Sequence, residues 1–111
     1  MNPIPHALSR LRDEWKRDGA ASDLGLWWLA NDVRGVVGET VPEGEVRRLT
    51  LEAVRPLLES GDLRAGDMTP DGTFAPWSGP VEELVARISS EWQALGRQPD
   101  IGDVVWFVGA R

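Results

Sequence analysis

The 111-residue sequence predicts an α+β fold, in which four helices share a single core with a small antiparallel sheet. Apolar residues recur every three or four positions in four separate segments, which is the spacing of one helix face. Short strand-like runs within residues 63–77 and a final apolar run at 104–108 interrupt this spacing. Because no linker-like segment divides these elements, residues 1–111 are expected to form one domain.

The first two helices are predicted at residues 4–16 and 24–37. The apolar face of the first helix consists of Ile4, Leu8, Leu11 and Trp15. Ser22 or Asp23 is expected to cap the start of the second helix, and Gly38 to end it. The second helix has a wide apolar stripe, which indicates a core helix: Leu26, Trp27, Leu29, Ala30, Val33, Val36 and Val37.

A third helix is predicted to begin at a capping box formed by Thr40 and Glu43. In this motif the Thr40 hydroxyl accepts a hydrogen bond from the Glu43 amide, and the Glu43 carboxylate reaches back to the start of the helix. Gly61 is expected to end the helix. Pro56 lies inside the apolar pattern and has no backbone N–H, so a kink or a break is expected near Val54.

A hairpin is predicted over residues 63–77, because two strand-like runs flank a loop rich in Gly, Pro and Asp. Helix, helix and hairpin in this order give the first two thirds of the chain a winged-helix-like arrangement. Ser78 is then expected to cap a fourth amphipathic helix that carries Trp92 and ends at Gly96. Residues 104–108 are apolar on both faces, which is typical of an inner strand.

The charge of the chain is strongly acidic and unevenly distributed. Eighteen acids and 12 Lys and Arg residues give a formal net charge of -6. Residues 56–111 contain nine acids and four bases, a net charge of -5. Such a field repels phosphate and anionic lipid and attracts basic proteins. We therefore expect a basic protein partner, and neither nucleic acid nor membrane.

The composition also restricts the compartment and the chemistry. No apolar run approaches the ~18 residues of a bilayer span, and a charged stretch follows the N-terminus where a signal sequence has its hydrophobic core. The chain has no cysteine, which excludes disulfides, thiol catalysis and cysteine-bound zinc. A cytoplasmic location is expected.

Nucleic-acid binding is an alternative function, because the predicted third helix occupies the position of a recognition helix. Arg47, Arg48 and Arg55 could face a DNA groove. The same helix carries four glutamates, however, and the wing would hold Asp67 and Asp71. This acid balance opposes the phosphate contacts that supply most of the binding energy. A winged-helix-like transcriptional regulator therefore remains only an alternative.

Neither a metal nor a cofactor is expected. Residues 67–72 partly match a calcium loop, but Ser78 stands where a bidentate glutamate is required. His6 is the only histidine, so a zinc site would lack its usual ligands. An ordinary turn explains the loop better.

The sequence contains no recognisable catalytic motif, so the protein is expected not to be an enzyme. It has no Gly-x-Ser-x-Gly elbow and no glycine-rich phosphate loop. Glu82 and Glu83 are adjacent on a helix and project about 100° apart, so they cannot flank one bond without partners from elsewhere. A small carboxylate-dependent hydrolase is the remaining catalytic alternative.

The six tryptophans divide into two groups. Trp15, Trp27 and Trp92 fall on apolar helix faces, where core packing is the expected role. Trp28, Trp77 and Trp106 lie at the edges of their elements, and the pattern leaves open whether they are core or contact residues. An exposed Trp28 would also be compatible with a dimer face.

A resemblance to a family of small bacterial proteins rests on residues 50–108. The shared pattern is a leucine-rich helix end followed by Gly61-Asp62, then Phe74-Ala75-Pro76-Trp77, and finally Gly102-Asp103-Val104-Val105-Trp106-Phe107. In size and acidity such proteins resemble the immunity partners of bacterial toxins. The resemblance implies a dedicated protein ligand and no catalytic residues.

The predicted function is therefore that of a non-catalytic binding protein, which neutralises a basic toxin through an acidic surface that contains tryptophan. The residues expected to contact the partner are Asp67, Asp71, Trp77, Glu82, Glu83 and Asp103. The sequence leaves the identity of the partner, the oligomeric state and the role of residues 1–50 open.

Overall fold

The computed structural model describes residues 3–109 and has the predicted α+β fold. Its elements in chain order are α1 (Pro3–Ala21), β1 (Leu24–Gly25), α2 (Leu26–Val37), α3 (Glu43–Ser60), β2 (Leu63–Met68), β3 (Phe74–Pro76), α4 (Val81–Leu95) and β4 (Trp106–Gly109). Four helices and a four-stranded antiparallel sheet confirm the predicted class. Within this part of the chain no helix is both long and apolar enough to cross a membrane.

The last strand lies in the middle of the sheet, whose order is β1-β4-β2-β3. Phe107 of β4 pairs with Leu24 on one side and with Ala65 on the other. The predicted inner position of this strand is therefore confirmed, and the apolar character of both its faces follows from it. The edge strands are β1 and β3. In the hairpin, β3 pairs with β2, and Asp67 lies opposite Ala75.

The strand β4 begins at Trp106 and not at residue 104, because the backbone turns sharply just before it. Val104 has a φ of 67°, and the amide of Val105 donates to the carbonyl of Asp103 at 2.8 Å. A hydrogen bond between residues two apart across a residue with positive φ closes a γ-turn, which is strained for a β-branched residue. This turn ends the loop that leads out of α4.

The core lies between the helices and the sheet. Trp15, Trp92 and Phe107 are fully buried in it. The end of α1 approaches β4 so closely that a side chain at Gly109 would collide with the backbone of Gly19. This pair of glycines therefore allows the contact between the first helix and the central strand.

Several helix ends differ from their predicted positions. The second helix begins at Leu26, because Leu24 and Gly25 pair with β4. The fourth begins at Val81 after Pro80, so Ser78 lies outside it. The predicted ends of α3 at Gly61 and of α4 at Gly96 are confirmed, and both glycines are left-handed, with φ of 81° and 69°. Gly38 ends α2 as predicted, but its φ of 99° and ψ of 165° are not those of a left-handed cap.

The structure tests two predictions about α3. Pro42 is its N-cap and no side-chain capping bond forms, so the capping box of Thr40 and Glu43 is wrong. Of the kink or break predicted near Val54, the break is excluded, because the helix continues through Pro56 to Ser60. Apolar residues that are buried on both sides of the proline hold this stretch against the core: Val54, Leu57 and Leu58.

Candidate functional site

Two of the predicted contact residues are joined in a cluster on the hairpin, which we call the hairpin cluster: Asp67, Trp77, Arg87 and Glu91. The indole N–H of Trp77 donates to the Asp67 carboxylate at 2.9 Å. The Arg87 guanidinium lies over the Trp77 ring, 3.5 Å from its centroid, and donates to Glu91 at 2.7 Å. This contact with a residue of α4 leaves Trp77 half-buried.

The β2–β3 ladder positions this cluster. The amide of Trp77 donates to the carbonyl of Ala65 at 2.9 Å, which continues the ladder beyond β3. Asp67 is exposed on the neighbouring strand, and its carboxylate supplies the acceptor that the half-buried indole requires. The ring of Trp77 is thus held in place, while the second carboxylate oxygen of Asp67 has no partner among the described hydrogen bonds.

Asp71 lies at the exposed tip of the hairpin and holds the turn together. Its carboxylate accepts from the Thr69 hydroxyl and from the amide of Thr73, the latter at 3.1 Å. These hydrogen bonds, that of the Thr69 hydroxyl first, lower the pKa of Asp71. The tip of the hairpin therefore carries a full negative charge at neutral pH.

Glu82 and Glu83 are both exposed in the first turn of α4, but they do not face each other. Glu82 accepts from Arg55 of α3 at 2.6 Å, and its side chain is 81% exposed. Glu83 turns back toward Gly79, where its carboxylate oxygen would lie 3.2 Å from an added Cβ. Since the two carboxylates diverge, they do not form the facing pair that a carboxylate hydrolase requires.

Asp103 lies beyond the other end of α4, away from Glu82 and Glu83. It accepts from Arg97 and from the amide of Asp100, both at 2.8 Å. The bond from Arg97, followed by that from Asp100, lowers the pKa of Asp103. Because the 15 residues of α4 extend about 22 Å, Asp103 does not share a contact patch with the two glutamates.

A polar network that the sequence reasoning missed is centred on Arg34. Its side chain is only 11% exposed and forms a 2.9 Å ion pair with Glu43. The other oxygen of Glu43 accepts from the indole N–H of Trp92 at 2.9 Å. Arg34 also donates to the carbonyl of Val41 and to Gln98. These contacts join α2, α3 and α4, so the network positions the helices.

Three indole groups are hydrogen-bonded to carboxylates in this fold. Besides the pairs of Trp77 and Trp92, the buried Trp15 donates to Asp32 at 2.9 Å. A buried indole N–H is usually paired with an acceptor. The predicted burial of Trp15 and Trp92 therefore indicated that an acceptor lies near each ring, and in the structure these acceptors are Asp32 and Glu43. Spacing could not identify the acceptor, since each lies on a different helix from its tryptophan.

The arginines of α3 line a groove of about 520 Å³ between α3 and α4, over a floor that contains Leu51 and Val85. Arg48 pairs with Glu45 and Glu52, and Arg55 pairs with Glu82. Of the three arginines of α3, Arg47 has no carboxylate within ion-pair distance among residues 3–109. The charges that could bind phosphate are thus largely matched, and α4 lies beside the helix that a DNA groove would have to accept.

Among residues 3–109, Trp28 and Ile101 are the large hydrophobic side chains that are exposed, by 37% and 70%. Trp27, which was expected in the core, is half-buried, and its ring centroid lies 5.8 Å from that of Trp28. Trp106 is also half-buried. Trp28 is therefore the most accessible of the tryptophans whose role the sequence left open.

The described residues contain no group of three or more His, Asp or Glu side chains that could hold a metal ion. Comparison of the chain with protein-family models, with known proteins and with solved structures found no match.

Proposed function

We propose that this chain is a non-catalytic binding protein that neutralises a basic protein partner, as the immunity proteins of bacterial toxins do. The observation that carries this proposal is the excess of acidic over basic residues in the second half of the chain. Residues 56–109 contain nine acids and three arginines, and all three arginines have partners within the fold. Four of the nine acids are in ion pairs, two of them with Arg87 and Arg97 and two with Lys16 and Arg55 of the first half. The other five acids have no ion pair within residues 3–109 and are available to an external cation.

Each of these arginines is occupied in a different way. Arg64 lies over the ring of Phe74 at 5.5 Å from its centroid, Arg87 is held in the hairpin cluster, and Arg97 is bound to Asp103. Asp71 and Glu83 remain exposed without a basic partner among the described residues. Together with Asp67 and Trp77 they form an acidic surface around the hairpin and the start of α4.

Electrostatic attraction supports the proposed role. An acidic surface accelerates the approach of a basic protein, and the acceleration is greatest at low salt. The part of Trp77 that Arg87 leaves uncovered can supply apolar contact area after the encounter. The predicted winged-helix-like regulator receives less support, because the arginines that it would use are mostly paired with glutamates in the groove between α3 and α4.

The first experiment is to capture partners from lysate of the source organism at low salt, to elute them with high salt and to identify them. We expect one basic protein whose activity is inhibited by the captured chain. The association and dissociation rates of the purified pair are then measured by stopped flow. Recovery of nucleic acid, or of no protein partner, would contradict the proposal.

Charge reversal provides the specific test. We expect Glu83→Lys and Asp71→Lys to slow association at low salt by about tenfold, with little change in dissociation. The matched control is Asp13→Lys on α1, which alters the net charge equally at an exposed position on a different element. Equal association rates for Glu83→Lys and Asp13→Lys would refute a localised acidic contact surface.

A further inference from the structure

Trp28 and Ile101 lie on one side of the molecule although they are far apart in the chain. Asn31 is three residues after Trp28 and therefore shares its face of α2. The side-chain amide of Gln98 donates to the side-chain oxygen of Asn31 at 2.5 Å. Ile101 lies three residues after Gln98 in the same loop. The two exposed hydrophobic side chains of the described chain thus flank the same contact between α2 and the loop after α4.

The loop that carries Ile101 is held in a defined shape. Asp103 accepts from the amide of Asp100 and from Arg97, and its own amide donates to the carbonyl of Asp100 at 3.1 Å. The γ-turn at Val104 then leads into Val105, whose carbonyl accepts from Leu26 at the start of α2. A strained turn persists only where surrounding contacts enforce it, so Ile101 is presented on a preorganised loop.

Trp28 is supported in a similar way. The ring of Trp27 stands beside it and lies over Gly25, where an added Cβ would be 2.5 Å from the Trp27 ring. No side chain larger than hydrogen at Gly25 would leave the ring in this position. The tilted contact between the two rings restricts where the Trp28 ring can lie.

The rim of this surface is acidic. Asp32 lies one turn after Trp28 on α2, and Glu14 and Asp18 of α1 are near enough to add to the burial that raises its pKa. Asp100 is exposed in the loop. The nearby cations are already engaged, since Arg97 binds Asp103 and Arg34 is mostly buried with Glu43. Two copies of this acidic rim would repel each other, which disfavours self-association.

We propose that Trp28 and Ile101 form the apolar centre of a docking face for a basic protein surface. Apolar side chains of the partner contact Trp28 and Ile101, and its Arg or Lys side chains contact the acids at the rim. We call this surface the Trp28 face: Trp28, Asn31, Asp32, Asp100 and Ile101. This proposal rests on the proposed function, from which it takes the basic character of the partner. It places the contact on a different surface from Trp77, so the two proposals can fail separately.

The test uses a defined probe, so that it does not depend on capture of a natural partner. A peptide of twelve residues that alternates arginine and leucine is titrated into the ¹⁵N-labelled protein, and the six indole N–H signals are followed by NMR. We expect the Trp28 signal to shift most. The matched peptide that alternates glutamate and leucine should leave it unchanged.

Two single variants test whether the apolar centre contributes to binding. Trp28→Ala and Ile101→Ser should each weaken the arginine-leucine peptide by about tenfold. The indole signals of the buried Trp15 and Trp92 report whether each variant is folded. Ile101 is 70% exposed, so Ile101→Ser keeps the test valid if Trp28→Ala fails to fold.

Three results would overturn the proposal. The peptide could shift Trp77 and leave Trp28 unchanged, which would favour the hairpin cluster as the contact surface. Ile101→Ser could bind as tightly as the unmodified chain. The Trp28 signal could move with protein concentration in the absence of peptide, which would identify the surface as a contact between two copies.

Discussion

Glu43 accepts a 2.9 Å hydrogen bond from the indole N–H of Trp92, although the two residues are 49 positions apart in the chain. The second oxygen of the same carboxylate binds Arg34, so one side chain joins three helices. Had Glu43 formed the predicted capping box, it would have satisfied only the start of its own helix. The tertiary contact therefore serves the whole helical layer.

We predict that Glu43→Ala lowers the free energy of unfolding by about 2 kcal/mol, because it leaves a mostly buried guanidinium and an indole N–H without their acceptor. Glu43→Gln should be less harmful, since its amide oxygen can still accept from Trp92. Urea denaturation measures both effects. Glu39→Ala, at an exposed position ahead of α3, is the control. Equal stability of Glu43→Ala and Glu39→Ala would show that the network is energetically unimportant.

The pH dependence of stability should reveal Asp32. Burial, followed by repulsion from Glu14 and Asp18, raises its pKa in the folded state. The folded protein thus binds the proton of Asp32 more tightly than the unfolded chain, in which the pKa of an aspartate is about 3.9. Protonated Asp32 therefore contributes its full stabilisation at pH values below the unfolded pKa. This stabilisation is lost as the pH rises through the higher pKa of the folded state.

Asp32→Asn removes this titration while retaining an oxygen that can accept from Trp15. We expect the variant to gain stability relative to the unmodified chain as pH increases from about 3.5 to 7. Urea titrations at several pH values measure the difference, and Asp13→Asn controls for the loss of one exposed negative charge. A difference that is constant with pH would contradict the raised pKa.

The contact between α1 and β4 predicts opposite effects of the same substitution at two glycines. Gly109→Ala would collide with the backbone of Gly19 and should lower stability by about 2 kcal/mol. Gly35 lies inside α2 with nothing within 4 Å of an added Cβ, so Gly35→Ala should raise stability by about 0.5 kcal/mol. Thermal unfolding of both variants tests the pair. Equal effects of the same sign would refute the close approach.

The ion pair between Arg55 and Glu82 should contribute little to stability, because the Glu82 side chain is 81% exposed. A double-mutant cycle with Arg55→Ala and Glu82→Ala should give a coupling energy below about 0.5 kcal/mol. A value above about 1 kcal/mol would mean that this pair helps to hold α3 against α4. A small value would leave Glu82 available to a basic partner at low cost.

Local patterns account for the helices and the hairpin. The apolar spacing of α4, with the buried Trp92 and the final Gly96, is visible in the sequence because a helix face repeats every three to four residues. The inner position of β4 follows from its continuous apolar character. By contrast, the two-residue strand β1 has no pattern of its own and exists only because Phe107 pairs with Leu24.

For the predicted contact residues, the sequence likewise indicated the charge but not the tertiary contacts. Composition placed the excess acid in the second half of the chain, and it is exposed there at Asp67, Asp71 and Glu83. Their roles as partner contacts remain predictions. The sequence could not indicate that Trp77 is covered by Arg87 while Trp28 is exposed, because both depend on which side chains of other elements lie beside them.

The sequence by itself determined the class of fold, the number of helices and the sign of the surface charge, since these depend on local periodicity and composition. Tertiary structure decided the sheet order, the carboxylate partners of the buried tryptophans and the separation of Asp103 from Glu82. These features are made by residues brought together from distant positions. Burial and hydrogen bonding select such contacts, and no local spacing encodes them.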